Sequence, residues 1–190
     1  MSSTSPTPAH VRRGRWILVG LFALFFGTVG AAGVLRFSGW QPPGSKVHGQ
    51  MLNPALDARA IQPTLQDGSP YPWNPTARTW RIAVAAPEGC GQRCATLAQD
   101  LDKLWRLFSH NADRVDILWM GPLPPQAQGM PALRLVRDDA GLRDLLPAVD
   151  DPAGIPVYVI DPNGFIILRY APETDPGSIR SDVSKLLKLI

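Results

Sequence analysis

The sequence predicts an α/β domain, a mixed sheet flanked by helices, carried behind one N-terminal transmembrane helix. Three observations predict it: an uncharged apolar run from Trp16 to Leu35, short apolar stretches alternating with helical periodicity from Trp80 onward, and a turn-closed strand pair followed by a capped helix. The chain has 190 residues, 45% hydrophobic and 18% charged, which is room for one ordinary domain plus an appendage and excludes a large multidomain enzyme. Its 20 prolines and 17 glycines follow no three-residue period, so neither collagen nor wholesale disorder fits. The formal charge is +3, but Arg12, Arg13 and Arg15 precede the apolar run, every acid follows residue 56, and from Arg36 onward the charges balance. The basic excess belongs to the N-terminal tail, so electrostatics give no case for a nucleic-acid partner.

At a helical rise of about 1.5 Å per residue, Trp16 to Leu35 spans roughly 30 Å, the hydrocarbon thickness of a bilayer. The arginines crowd its N-terminal end and only Arg36 follows it, so the positive-inside rule leaves residues 1–15 in the cytoplasm and the rest outside. Trp16, Phe37 and Trp40 read as interfacial aromatics. A cleaved signal peptide is the alternative, with Gly30-Ala31-Ala32 near the end of the run, although signal apolar regions are typically ~7–15 residues. Either way the domain is exported. Gly20, Gly27, Gly30 and Gly33, with Ala23 and Ala31, make a small-residue face able to pack on another membrane helix; plain spanning is the simpler reading.

Residues 37–78 are rich in proline, glycine and polar side chains. They read as a tether, residues 36–60, and a short β lead-in to a domain over 61–190. Asp67-Gly68, between short extended stretches, signals a hairpin turn. Trp80 to Ala86 is a buried strand, and Cys94 to His110 places Leu97, Leu101, Leu104, Trp105 and Phe108 at helical spacing. Arg114 to Met120 is a second strand, and proline-rich Gly121 to Pro131 is loop. Leu133 to Val136 fits a short strand or a helix start; Ala140 to Leu146 fits a helix ended by Pro147. Ile155 to Asp161 and Phe165 to Tyr170, joined by Pro162-Asn163-Gly164, form an antiparallel hairpin. Pro176 to Ile190 is a closing helix capped by Asp175, with Ile179, Val183, Leu186 and Leu187 on one face. Strand, helix, strand, helix, hairpin and helix is the order of the thioredoxin fold.

Cys90 and Cys94 are the chain's two cysteines, and they lie where the first core strand hands over to the first helix. A thiol at a helix N-terminus meets unpaired backbone N–H groups and the positive end of the dipole, which favour thiolate; Arg93 adds a fixed cation. Four residues apart, the two sulfurs share a helix face, within reach of one disulfide or one small ion. Gly89 and Gly91 keep the approach open. Three roles compete. A structural disulfide suits an exported protein, but a loop this short restrains the unfolded chain little. Thiol–disulfide exchange needs an attacking thiol, Cys90, and a resolving one, Cys94. Cu(I) binding suits two soft thiolates, whereas a closed zinc site wants four ligands.

With these residues the sequence resembles the Sco-type, thioredoxin-like proteins that help assemble the copper centre of cytochrome c oxidase. The shared features are the anchor at residues 16–35, Asp67-Gly68, the Cys90 to Cys94 pair, and Asp161-Pro162-Asn163-Gly164, and the likeness covers roughly residues 60–190. It is also similar to short thioredoxin-like membrane proteins of proteobacteria associated with oxidase biogenesis, the closer match. The resemblance implies a single-pass protein of the bacterial inner membrane, N-terminus cytoplasmic and domain periplasmic. It further implies thiol or Cu(I) chemistry at Cys90 and Cys94, with oxidase subunits or their assembly factors as partners.

Two departures matter. Ala95 stands where Sco proteins place proline, and residues 150–156 hold no histidine for a third copper ligand. Ile155-Pro156 instead resembles the cis-proline that thioredoxin-like proteins set opposite their cysteines, which adds Pro156 to the candidate catalytic residues; an ordinary proline opening a strand is the alternative. Among substitute ligands, His10 is cytoplasmic, His48 is in the tether, and His110 ends the first helix about 24 Å from the cysteines by its rise. Met120 and Met130 read as packing or surface residues, and Asp138-Asp139 and Asp150-Asp151 as caps and turns. The competing functional class is a non-catalytic scaffold whose cysteines are simply oxidised.

Overall fold

The computed structural model describes residues 8–38, 47–137 and 140–189, the side chains of residues 8–13 and 140 excepted. The side chains of His10, Arg12 and Arg13, and the whole of Trp40, Asp138 and Asp139, lie outside that description. Two units divide the chain, residues 1–45 and 46–190. The first holds one helix, α1 (Pro8–Phe37), longer at both ends than the predicted span. Its Gly14–Phe37 segment has a mean hydropathy of 2.2 and is long and apolar enough to cross a bilayer. Thr28, the hydroxyl in the apolar run, donates to the Phe25 carbonyl at 2.8 Å and so is satisfied without water.

The second unit is built on strands β1 (Gln50–Asp57), β2 (Trp80–Ala85), β3 (Val115–Met120), β4 (Leu133–Val136), β5 (Val157–Ile160) and β6 (Phe165–Tyr170). Its helices are α2 (Gly91–Arg106), α3 (Ala140–Leu145) and α4 (Pro176–Leu186). The sheet order is β1-β6-β5-β2-β3-β4. β2, β3 and β4 run parallel, while β5 opposes β2, β6 opposes β5 and β1 opposes β6. Every residue of β2 and β5 is buried, as expected of central strands covered on both faces. Alternate residues serve two cores. Ile82, Val84, Ile117, Trp119 and Val159 meet α2 and α4 through Leu101, Leu104, Ile179 and Val183; Ala83, Leu118, Tyr158 and Ile160 meet Leu142 of α3 on the other face.

Helices end where their sequence stops supporting them. Asp175 caps α4 by accepting the Ser178 N–H at 3.1 Å, with Pro176 at the first helical position. α2 stops at Arg106, short of the predicted His110. Ser109 takes a left-handed backbone (φ 54°) and Trp105 Nε1 donates to the carbonyls of Ala112 and Val115, folding residues 109–114 into a 3-10 turn. His110 therefore lies off the helix.

Residues 50–57, expected in the tether, form β1 on the sheet's edge. Its exposed pattern and Pro54 hide it from periodicity, and the same proline blunts the edge. The Asp67-Gly68 turn forms and its flanks pair antiparallel across it through Thr64 and Pro70, with Leu65 N–H to the Ser69 carbonyl and Tyr71 N–H to the Pro63 carbonyl, each at 2.8 Å. The first flank also pairs with the outer side of β4, Gln66 N–H to Leu135 O at 2.9 Å and Arg137 N–H to Thr64 O at 2.8 Å.

Among the described residues two charges sit inside the fold, Arg81 and Asp182. Arg81, the second residue of β2 and 2% exposed, donates to the Tyr71 hydroxyl and to the carbonyls of Asp161 and Pro162, each at 3.2 Å. Its guanidinium also lies 5.5 Å from the Tyr71 ring centre and 5.2 Å from that of Trp73. The phenol passes the link on to Asp116 at 2.6 Å, so the buried cation reaches a carboxylate through one hydroxyl. Burial, reinforced by the Asp116 carboxylate, pushes the Tyr71 phenol up to about 12 despite Arg81.

Candidate functional site

Cys90 is the residue from which α2 starts, and Cys94 lies one turn into the helix. A disulfide joins them across Cα atoms 5.6 Å apart. Gly89 and Gly91 have φ of 70° and 50°, and a Cβ on either would meet nothing within 4 Å. Glycine serves the left-handed backbone there rather than the packing, and it swings the chain off β2 so that the cysteine begins the helix. No side chain caps α2, so its first N–H groups stay directed at the sulfur end. The two sulfurs are not equivalent: Cys90 keeps 9% exposure and Cys94 keeps 1%. The exposed thiol expected at Cys90 is therefore nearly covered, since both cysteines belong to the buried core cluster.

The mouth over the disulfide is a cleft of about 320 Å³ walled by Pro122, Leu123, Pro124, Pro125 and Gln126. Trp119 Nε1 holds the first of these by donating to the Pro122 carbonyl at 3.0 Å. Gly121 (φ 91°) lies so close to the Ala86 carbonyl that a Cβ there would overlap it, fixing where the loop leaves β3. Three prolines make a stiff wall with few donors, leaving a sulfur as the reactive group at its edge.

A second cleft, about 350 Å³, opens on the other flank of the same helix turn, between α2, residues 153–157 and the connection from β6 to α4. Gln92 lines both. Arg93 belongs to this cleft's lining and not to that of the disulfide mouth. Residues 151–154 are braced by Asp151, which accepts the Ala153 N–H at 3.0 Å and pairs with Arg169 at 2.5 Å. Those two contacts, the backbone one first, hold its carboxyl below the usual range. Asp150 accepts from Arg143 of α3 at 2.8 Å, an exposed pair.

Pro156 departs from its expectation. Among the described residues the cis peptide is Asn53-Pro54, so Ile155-Pro156 is trans and Pro156 is a buried residue leading into β5. Its neighbours Ile155 and Val157 line the second cleft, not the disulfide mouth.

His48 is not free to reach the cysteines either. Its N–H and Nδ1 contact Asp182 at 2.6 and 3.1 Å, and the Gly49 N–H reaches the same carboxylate at 3.1 Å. Tyr170 Oη and Lys185 Nζ complete the set, both at 3.2 Å. Burial would push this carboxyl up, but the Gly49 and His48 donors together with Lys185 outweigh it and hold it below the usual range. Burial, and then the Asp182 charge, pushes the Tyr170 phenol up. Met120 is buried in the core on the other face from Cys94, and Met130 packs against the core that contains the cysteines. Among the described residues no three His, Cys, Asp or Glu side chains group to hold a metal, and the soft pair they contain is Cys90 and Cys94.

No curated protein sequence matches this chain. Solved structures share its fold. A Sco-family cytochrome c oxidase assembly protein, BsSco, described for its disulfide switch, is 16% identical over 75% of this chain and 98% of its own, with a TM-score of 0.52. Copper-bound ScoI of Arabidopsis thaliana is 13% identical over 68% and 96% (TM-score 0.49), and peroxiredoxin Q of Xanthomonas campestris 17% over 76% and 98% (TM-score 0.47). The profile of one family, transmembrane-like, thioredoxin-like, C-terminal domain, matches residues 80–190. That match runs from β2 through α4 and includes both cysteines, more than half of the chain, and the protein belongs to this family.

Proposed function

We propose that this protein is a membrane-anchored thiol–disulfide exchange protein acting on the periplasmic side of a bacterial inner membrane during cytochrome c oxidase maturation. The observation that carries the exchange chemistry is the disulfide across the first turn of α2, with Cys90, 9% exposed, at the floor of the proline-walled cleft and Cys94, 1% exposed, the more deeply buried. Once the pair is reduced, the Cys90 thiolate attacks one sulfur of a client disulfide, and the other client sulfur leaves as a thiolate and takes a proton. Cys94 then attacks the Cys90 sulfur of the mixed disulfide, releasing the second client thiol and closing Cys90 to Cys94. Two electrons and two protons pass to the client, and a dithiol partner protein resets the pair. The uncapped start of α2 directs backbone N–H groups toward the cysteine end, an arrangement that favours a thiolate there once the pair is reduced.

The oxidase link rests on the Sco resemblance, and oxidase subunits or their assembly factors are the proposed clients. Cu(I) cargo is the second reading, favoured by two soft sulfurs one turn apart; a client would supply any further ligand.

The test is a redox titration of the purified full chain in micelles. An exchange protein should titrate between about −180 and −270 mV, whereas a disulfide surviving below about −300 mV would mark a structural bond. Cys90→Ser should abolish exchange, and Cys94→Ser should trap a mixed disulfide with the client. Close to one Cu(I) retained per reduced chain, and lost on either cysteine change, would select the cargo reading. Cells carrying the double Cys→Ala variant should lose oxidase activity; full activity would select a scaffold.

A further inference from the structure

The outward face of α4 carries one sign of charge. At about 100° per residue, the arc turned away from the core holds Gly177, Arg180, Ser181, Ser184, Lys185 and Lys188. Lys188 lies on the turn that continues α4, where the Leu189 N–H reaches the Leu186 carbonyl at 3.0 Å. Three cations and three small residues share the arc, and no acid does. The acid that α4 contains, Asp182, points inward, its oxygens taken by His48, Gly49, Tyr170 and Lys185. Arg180 and Lys188 make no side-chain hydrogen bond or ion pair among the described residues. Complementing the helix dipole accounts for Lys185 and Lys188 at the C-terminal end, but not for Arg180 near the middle. On α2, by contrast, Lys103 and Arg106 are each paired with an aspartate one turn back, at 3.1 and 2.8 Å. One turn beyond Lys185, Leu189 is 74% exposed at the edge of the arc.

These cations are spread and do not converge. Arg180 and Lys188 stand about 12 Å apart along the axis of a convex surface, which suits a plane of negative charge better than one small anion. The small residues between them let the helix approach such a plane closely, and Leu189 offers it an apolar contact. The tether ends on this same helix, because the chain arriving at Val47 is fastened to Asp182 through the N–H groups of His48 and Gly49, at 2.6 and 3.1 Å. Val47 follows Ser38, the last described residue after α1, by nine positions, at most about 30 Å of chain. A bilayer holding α1 is therefore within reach of α4. We propose that the outward arc of α4 rests on the headgroups of an anionic phospholipid bilayer, with Arg180, Lys185 and Lys188 over the phosphates and Leu189 dipping beneath them. The proposal rests on α1 as the anchor and is independent of the exchange reading. Docking of this kind restricts how a tethered domain turns, so the disulfide mouth is presented in one orientation.

The experiment uses the oxidised full chain in nanodiscs of phosphatidylcholine, either pure or mixed with phosphatidylglycerol. The photo-crosslinking residue benzoylphenylalanine replaces Ser184 on the arc or, as a control, the exposed Asp144 of α3 on the other face of the sheet. Mass spectrometry counts lipid adducts at each position. One cation held near an anionic surface favours contact about five-fold, so residue 184 should gain at least about five-fold more adduct in the anionic discs than in the neutral ones. The gain should fade as salt is raised, while residue 144 stays at background in both lipids. Arg180→Glu combined with Lys188→Glu should abolish the gain. Both side chains are exposed, so the fold is kept, which an unchanged urea midpoint checks. Background adduct at residue 184 in both lipids, or a gain that survives the charge reversal, would overturn the proposal; the first result would leave this face to an acidic protein. A chain that enters neither kind of disc refutes the anchor and the docking with it, whereas one that enters both without the gain refutes the docking alone.

Discussion

Replacing Asp182 tests how the start of the second unit is fastened down. The residue is 2% exposed, and one of its oxygens accepts the N–H groups of His48 and Gly49 and the Tyr170 hydroxyl. Asp182→Ala leaves all three donors without that partner. Each buried orphan costs about 1–3 kcal/mol, and water reaching the half-exposed His48 recovers part of the sum, so the expected loss is about 3–5 kcal/mol. That is a large share of a typical domain's ~5–15 kcal/mol.

Asp182→Asn is the milder companion. Its one remaining carbonyl oxygen can keep the His48 and Gly49 N–H groups, while its amide faces His48 Nδ1 and Lys185 in place of the other oxygen; about 1–2 kcal/mol is expected. Urea unfolding followed by tryptophan fluorescence reads both, and hydrogen exchange at His48 and Gly49 reads the local release. The carboxyl is held low in the folded chain. Its contribution is therefore complete above the ordinary aspartate value of about 3.9 and is lost as pH falls through the lower folded value. The Asn variant should lack that acid limb. A loss below about 1 kcal/mol in Asp182→Ala, with the two amides still protected, would refute the reasoning.

Two further outcomes follow from the same geometry. The Tyr71 phenol should titrate near pH 12 by ultraviolet absorbance, and because its neutral form is favoured by folding, that contribution should be intact below about pH 10 and lost as pH rises through 12; ionisation near 10 with the fold intact would refute its burial against Asp116. Gly164→Ala should cost about 1–3 kcal/mol in a urea melt, because the residue has φ 97° and a Cβ would stand 2.9 Å from Trp73 Cγ; a change within about 0.5 kcal/mol would refute that packing.

The parts legible in the sequence are those whose cause is local. The apolar runs of β2 and β5, the periodic face of α2, the turn at Asp161 to Gly164 and the Asp175 cap each follow from residues within a few positions. β1 was hidden because an edge strand with one neighbour needs no apolar alternation. The cysteine pair and the order of its two thiols were legible, but the wall over them was not, since it comes from a loop some thirty residues downstream. The trans state of Ile155-Pro156 depends on tertiary context that a dipeptide does not carry. Asp182 and Arg81 did leave a trace. Each is a charge set inside an apolar pattern, three residues after Ile179 in one case and within a buried strand in the other, and such a charge requires a partner from elsewhere. The partner of Asp182 lies 134 positions away, beyond any pattern rule.

The bridge between Cys90 and Cys94 closes a ring wholly within the start of one helix. It ties no distant parts of the molecule together, so opening it releases no strand and shutting it requires no search through chain conformations. The architecture therefore suits repeated turnover: electrons can be loaded and unloaded many times while the scaffold around them stays at rest.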